Sequence, residues 1–265
     1  LARTLKKIFL QTQPSAFYIN LTDKCNLNCT YCYVPKDMRL KGYTMHYRDL
    51  EAIGTKLLEY ADKNNIFIGI TFHGGEPLLC KELIIRFIDE YIREKHIKYI
   101  SIMTNATLLD EDYVKLIAKY EEKITFGISL DGLPEIHDKT RRTWDGKRTY
   151  NLVEKAIHLL NKYDINFGII TVVTTYNVKV LSEIIKHYYN IGVTSVLLNP
   201  VSPTNKHAYS LVPEIEDLII MENTRIISVG RIVNSLIGKD VCIEKNRGLP
   251  TGIKFIVGDS SKVKI

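Results

Sequence analysis

No stretch of this chain approaches the roughly 20 consecutive apolar residues that a membrane-crossing helix needs, so no spanning segment is expected. The first residues, Leu1 to Leu10, lack the continuous apolar core and cleavage site of a secretory signal. Lys and Arg form no block, which speaks against a nucleic-acid-binding arm. There is no internal repeat beyond an alternation of strand and helix, no low-complexity segment and no clear linker. Cysteine is scarce, five in 265 residues, and three of the five fall within eight residues, poorly placed for disulfide pairing. Unpaired, clustered cysteines favour a reducing compartment, and a cytoplasmic location is expected.

What is present suits a folded enzyme-sized domain. Apolar residues make up 45% of the chain, enough for a sizeable core. Lys and Arg number 36 against 30 Asp and Glu, a net charge of +6. Such an excess reads either as a solvated basic surface or as attraction for an acidic partner.

The scarce cysteines are also the most informative residues. Cys25, Cys29 and Cys32 stand at a Cys-x3-Cys-x2-Cys spacing, directly after the apolar run Ala16 to Leu21, which reads as a buried strand. A loop leaving the end of a strand is where α/β proteins place their chemistry. Three thiolates on one loop can hold three irons of a 4Fe-4S cluster and leave the fourth open to a substrate or cofactor. Structural zinc usually takes four ligands, with cysteines paired two residues apart. Here the fourth would have to be His46 or His73, and there is no second cysteine pair.

Apolar periodicity sketches the rest. Strands are expected at Ala16–Leu21, Ile66–Phe72, Ile97–Met103, Lys123–Leu130, Asn166–Thr174 and Val193–Leu198. Between them helices are expected at Arg48–Asp62, Glu82–His96, after Asp110, at Tyr150–Tyr163 and after Asn177, with Asp110 and Asn177 as caps. A polar loop is expected between Leu130 and Tyr150. Six strands alternating with five helices imply a parallel sheet with right-handed crossovers, curled into a barrel or part of one. Beyond Pro203 the alternation stops; Pro213–Leu236 reads as helical and Ile253–Val257 as a single strand.

The cysteine stretch, with Tyr31 just before the third cysteine, resembles the signature of the radical S-adenosylmethionine (SAM) enzymes. The resemblance extends through His73-Gly74-Gly75-Glu76-Pro77, Met103-Thr104-Asn105-Ala106-Thr107 and Ser129-Leu130-Asp131-Gly132, followed by Ile136-His137-Asp138 and Arg141. The last segment is similar to the SPASM-type subgroup that modifies peptides and proteins, which includes anaerobic sulfatase maturases and ribosomal-peptide maturases. The match runs from about Ala16 to Pro200, in order.

This resemblance implies an α/β fold, a partial (β/α)6 TIM-like barrel over residues 1–203, with a lead-in over 1–15. Residues 204–265 would be a short C-terminal extension, the start of a truncated or incomplete auxiliary domain. It implies a 4Fe-4S cluster on Cys25, Cys29 and Cys32, and SAM as cofactor. The implied activity is reductive cleavage of SAM to a 5′-deoxyadenosyl radical that modifies a peptide or protein. An electron donor such as flavodoxin or ferredoxin is the implied second partner. The implied SAM contacts are Tyr31 near the adenine, the Gly74, Gly75, Glu76 and Pro77 turn, Asn105, Ser129 at the ribose, Arg141 at the carboxylate, and Leu197 at the adenine. Each has a plainer role beside it: shielding for Tyr31, turn-making for Asn105 and the glycines, core packing for Leu197.

His137 and Asp138 read as supports of a turn or of Arg141 rather than as acid–base groups. Trp144 is either a substrate contact or a local anchor. Cys80 reads as a buried thiol. Cys242 alone cannot hold a second cluster, a departure from the subgroup, and no catalytic base is identified. The rival readings are a sulfatase maturase that forms formylglycine, a glycyl-radical activase or small-molecule enzyme, and a non-catalytic zinc-binding interaction module.

Overall fold

The structure is a computed structural model that describes residues 13–202, 204 and 206–213, and beyond these only short strands between 218 and 264. The chain divides into two compact units, one of Leu1–Thr171 with Ser182–Leu197, the other of Val172–Leu181 with Leu198–Ile265.

The central sheet runs β1 (Ala16–Thr22), β2 (Ile68–Gly74), β3 (Ile97–Thr104), β4 (Ile124–Ser129), β5 (Phe167–Val173) and β6 (Val196–Pro200), neighbours in that order. The pairs from β1 through β5 are parallel. The sheet is open, with β1 and β6 as its edges, which is the expected partial barrel. Helices α1 (Lys36–Lys41) and α2 (Tyr47–Asn64) follow β1, α3 (Lys81–Tyr91) follows β2, and α4 (Glu111–Ile117) follows β3. Helices α5 (Pro134–Thr140) and α6 (Tyr150–Lys162) follow β4, and α7 (Leu181–Asn190) follows β5.

Alternation along each strand sorts the side chains by face. Phe17 of β1 meets Tyr60 of α2 edge-on at 5.8 Å between ring centres, and Phe72 of β2 meets Phe87 of α3 at 5.3 Å. Ile68, Ile70, Phe72, Ile84, Phe87, Ile88 and Leu50 are all fully buried between the sheet and this helical layer. The opposite face carries Tyr18 and His73, rings 6.0 Å apart, with Tyr18 65% exposed.

Four expectations need correction. The segment from Leu130 to Tyr150 is not all loop, because Pro134–Thr140 is helical, with Pro134 in the first turn, where its missing N–H costs nothing. The helix expected to reach His96 ends at Tyr91, and His96 instead hydrogen-bonds the carbonyl of Ile66 through Nδ1 (2.8 Å). Asn177 makes no side-chain cap; its amide oxygen accepts from Thr174 N (2.7 Å) and holds the turn before the helix. Pro213–Leu236 was expected to be helical, but its described parts are strands: β7 (Leu218–Ile220), β8 (Arg225–Ile227) and the start of β9 (Ser235–Ile237). Adjacent β-branched isoleucines, as in Ile219-Ile220 and Ile226-Ile227, suit strands better than helices.

In the second unit, β9 pairs with β7 and with β11 (Ile256–Val257), and β10 (Cys242–Glu244) pairs with β8 and with β12 (Lys262–Lys264). The strand read at Ile253–Val257 is seen at its last two residues, and the rest of that range, like the lead-in over 1–12, lies outside the described residues. Among the described residues no helix is long and apolar enough to cross a membrane.

Candidate functional site

The sequence-predicted site residues all lie in the first unit, and all but Leu197, the second residue of β6, sit on loops or strand ends at the carboxyl edge of the sheet. The three cysteines occupy one loop after β1, and none is disulfide-bonded. The rest of the fold imposes the shape of this loop. Cys25 N–H donates to Arg39 O (3.0 Å), Asn28 N–H to Arg142 O (2.7 Å) and Thr30 N–H to Thr140 O (3.0 Å). Arg39 Nη1 donates to Leu27 O (3.2 Å), and Trp144 Nε1–H donates to Cys25 O (2.9 Å). Trp144 is therefore an anchor of the cysteine loop.

The donor set was tested against the iron–sulfur expectation. Two N–H groups address the Cys25 sulfur, Leu27 N at 3.4 Å and Asn105 Nδ2 at 3.9 Å. Donors aimed at a sulfur favour its thiolate, as in cluster sites. Burial works the other way and pushes the metal-free Cys25 thiol up to about 12 and Cys29 up to about 11. A bound cation is what would release those protons. Among the described residues no three His, Cys, Asp or Glu side chains converge on one ion, as a lone zinc at about 2.3 Å from each sulfur requires. Three thiols on one loop, one for each of three irons, fit a cluster.

The Gly-Gly-Glu-Pro turn leaves β2 and presses against the cysteine loop. Gly74 has φ +122°, a backbone shape that side chains rarely adopt. A Cβ on Gly75 would stand 2.1 Å from Lys24 O, so only glycine lets the two loops meet. The contact is sealed by Gly75 N–H to Thr22 O (2.7 Å) and Glu76 N–H to Lys24 O (2.8 Å). The close approach made possible here is thus to the cysteine loop itself. Pro77 opens a 3-10 turn, Pro77–Cys80, that buries Cys80 as expected.

Glu76 is a buried carboxylate that ties its own turn to the end of β3. It accepts from Leu78 N (3.0 Å), Thr104 Oγ1 (2.5 Å) and Asn105 N (2.8 Å). Burial pushes it up to about 7, against the opposing pull of those donors. Asn105 carries the chain onward: its Nδ2 donates to Asn26 Oδ1 (2.9 Å), and its Oδ1 accepts from Thr107 N (3.0 Å). Asn105 is both turn-maker and tie to the cysteine loop.

The second buried carboxylate was not expected. Asp131 follows β4 in what the sequence presents as a plain Asp-Gly turn, yet it is only 1% exposed. Its Oδ2 accepts from Tyr31 OH (2.5 Å), Thr140 Oγ1 (2.8 Å) and Arg141 Nε (3.0 Å). Burial alone would raise Asp131, but Arg141 and the hydrogen bonds outweigh it and hold the carboxyl below its usual range. Burial and the adjacent carboxylate keep Tyr31 protonated and donating. The Arg141 guanidinium carbon lies 5.4 Å from the Tyr31 ring centre. Arg141 is thereby aimed by Asp131 through Nε.

Behind it, His137 is fully buried, accepts from Asp131 N at Nδ1 (3.3 Å) and meets Thr149 Oγ1 at Nε2 (3.1 Å). Thr149 Oγ1 in turn donates to Arg141 O (2.7 Å), so the ring is the neutral Nε2–H tautomer. Burial pushes His137 down to about 4. Asp138 Oδ1 accepts from Thr149 N (2.8 Å) and Tyr150 N (3.0 Å) at the start of α6. Both residues are supports, as their setting in the sequence implied.

Ser129 closes β4 and is half-buried. Leu197 of β6 is 55% exposed, which rules out the core-packing role.

A profile described as the radical SAM superfamily matches residues 19–188. An uncharacterized protein of Methanocaldococcus jannaschii is 36% identical over 207 residues, covering 75% of this chain and 67% of that protein. The cysteine-type anaerobic sulfatase-maturating enzyme of Clostridium perfringens is 32% identical over 203 residues, 72% of this chain and 54% of the relative. Among solved structures, native anSMEcpe with bound AdoMet is 28% identical with a TM-score of 0.62, over 71% of this chain and 52% of that one. Streptococcus suis SuiB bound to S-adenosylmethionine shares the fold, with a TM-score of 0.59 at 22% identity over 78% of this chain and 45% of that one. The chain spans about half the length of the sulfatase-maturating enzymes it matches.

Proposed function

We propose, from the premise that this chain belongs to the radical SAM superfamily and so is an enzyme that uses a 4Fe-4S cluster and SAM, that it modifies a side chain of a peptide or protein. The observation that carries this reading is the 32% identity to a sulfatase-maturating enzyme across 203 residues, 72% of this chain. Further support comes from anSMEcpe with bound AdoMet and the Cp18Cys peptide, 27% identical with a TM-score of 0.61.

When bound, the cluster and SAM supply a 5′-deoxyadenosyl radical that abstracts a hydrogen atom from the substrate. The chain's own residues bind, aim and shield. Cys25, Cys29 and Cys32 supply three thiolates. Asp131 holds Arg141 by Nε, leaving the Nη edge of the guanidinium fork for the SAM carboxylate. Ser129 serves the ribose and Leu197 the adenine. Tyr31, its hydroxyl committed to Asp131, covers the cluster with its ring. Glu76, Gly74, Gly75 and Pro77 shape the turn whose carbonyls receive the SAM ammonium, and Asn105 locks that turn to the cysteine loop. Residues 204–265 read as part of an auxiliary domain. A flavodoxin or ferredoxin supplies the electron.

The test is anaerobic reconstitution with iron and sulfide, followed by SAM and dithionite. Cluster absorbance and 5′-deoxyadenosine are expected; absence of either would sink the assignment. Incubation with a cysteine-containing sulfatase peptide and with a ribosomal precursor peptide, read by mass, then separates formylglycine formation from other side-chain chemistry. Turnover on a metabolite alone would overturn the peptide reading.

A further inference from the structure

The positive charge of this protein is concentrated. Segments 24–41 and 139–148 together hold nine Lys and Arg against two Asp, a balance of +7, while the whole chain carries +6. The remaining residues are therefore close to neutral, and the basic excess lies almost entirely in these two stretches.

The fold places the two stretches side by side over the cysteines. Leu27 and Thr143 form an antiparallel bridge, and Asn28 N–H donates to Arg142 O (2.7 Å). Trp144, the only tryptophan, donates to Cys25 O (2.9 Å), with Arg39 at 5.1 Å and Lys36 at 5.6 Å from its ring centre. Lys24, Lys36, Lys41, Arg142 and Arg148 are exposed around this contact, and Lys147 is paired with Asp145 (2.7 Å). Asp37 is the other acid of the patch. Interspersed with these cations in the first stretch, Tyr33, Met38 and Leu40 are 62%, 42% and 46% exposed. A small apolar centre with a charged rim is the anatomy of a transient protein interface.

We propose that this patch is the docking surface for a small acidic one-electron carrier protein of the flavodoxin or ferredoxin kind, and that the carrier delivers its electron across the Trp144–Cys25 contact. The inference rests on the cluster assignment, not on the identity of the peptide substrate. Electron transfer weakens steeply with distance, so a carrier must seat where the protein shell over the cluster is thinnest. One loop separates this patch from the cysteine thiols. The step moves one electron: the carrier is oxidised by one, the cluster is reduced by one, and no atom is transferred. An acidic carrier meets an oppositely charged rim, which speeds encounter and fixes orientation.

The experiment uses the reconstituted holoenzyme with Lys41→Glu and Arg148→Glu combined, and Lys56→Glu with Lys95→Glu as an equal charge change away from the patch. Calorimetric titration with an oxidised flavodoxin reads binding directly, and 5′-deoxyadenosine formation is followed with flavodoxin and with dithionite as reductant. The patch variant is expected to bind flavodoxin about tenfold more weakly at low salt, while the distal variant binds as the wild type does. Its flavodoxin-driven SAM cleavage should fall in step, with dithionite-driven cleavage unchanged. The proposal is overturned if flavodoxin affinity of the patch variant stays within about twofold of wild type, or if the distal variant loses as much affinity as the patch variant. It is equally overturned if dithionite-driven cleavage drops as far as the flavodoxin-driven rate. Absence of dithionite-driven cleavage in the wild type would instead strike at the cluster assignment, and unaltered peptides at the peptide reading.

Discussion

Replacing Asp131 by Asn tests the reasoning about the buried network most directly. The carboxylate is 1% exposed and the Arg141 side chain 9%, so solvent can neutralise neither. All three recorded partners of Oδ2, namely Tyr31 OH, Thr140 Oγ1 and Arg141 Nε, approach as donors. Asparagine keeps the shape and one acceptor oxygen but removes the charge that balances Arg141. Removing one partner of a buried ion pair costs about 3–5 kcal/mol, because the remaining charge is left uncompensated. Against a typical total stability of about 5–15 kcal/mol, that is a large fraction. Urea unfolding of metal-free Asp131→Asn should show a loss in this range, and the reconstituted protein should show a weakened affinity for SAM as Arg141 loses its aim. The paired variant Asp131→Leu with Arg141→Met separates the two effects. It should recover most of the stability, since no buried charge remains, but not the SAM affinity. A loss below about 1 kcal/mol in Asp131→Asn, with SAM affinity intact, would refute the network as drawn.

Three other substitutions bear on the remaining parts of the site. His137 has a folded-state pKa of about 4 against an ordinary 6.5, so its contribution to stability is fully present above pH 6.5 and lost as pH falls through 4. At about 1.4 kcal/mol per unit this is on the order of 3 kcal/mol, and His137→Gln should flatten the urea-unfolding stability over that window. Gly75→Ala forces a methyl against Lys24 O, 2.1 Å from the ideal Cβ position, and should cost about 1–3 kcal/mol by denaturant unfolding while lowering iron content after reconstitution. Cys29→Ala should abolish the cluster absorbance, whereas Cys80→Ala, at a buried thiol outside the cysteine loop, should load iron and sulfide as the wild type does.

The fold was legible because its elements announce themselves locally. Alternating apolar runs and caps such as Asp110, whose Oδ1 accepts from Tyr113 N (2.8 Å), are properties of a few neighbouring residues. The cysteine loop and the Gly-Gly-Glu-Pro turn were legible for the same reason, since their chemistry is contiguous in the chain. The support of the site was not, because it is built from residues far apart in sequence. Tyr31 and Asp131 are 100 residues apart, Trp144 and Cys25 119, and Asn105 and Asn26 79. Each looks ordinary alone: an Asp-Gly turn, a tryptophan in a polar loop, an asparagine after a strand.

A physical signal was nevertheless present. Arg141, Tyr31 and Thr140 each bring a donor to a chain whose core is largely aliphatic, and buried donors require an acceptor. Asp131 is the acidic residue closest in sequence to Thr140 and Arg141 that follows a strand, and counting donors against acceptors would have singled it out. The same count explains why α5 exists at all. The seven residues Pro134–Thr140 place His137 beneath Asp131 and bring Thr140 and Arg141 to its carboxylate, so a stretch that is polar in sequence is helical to serve the site. Local pattern therefore specifies the scaffold here, while the pairing of buried polar groups specifies how the scaffold grips the cysteine loop.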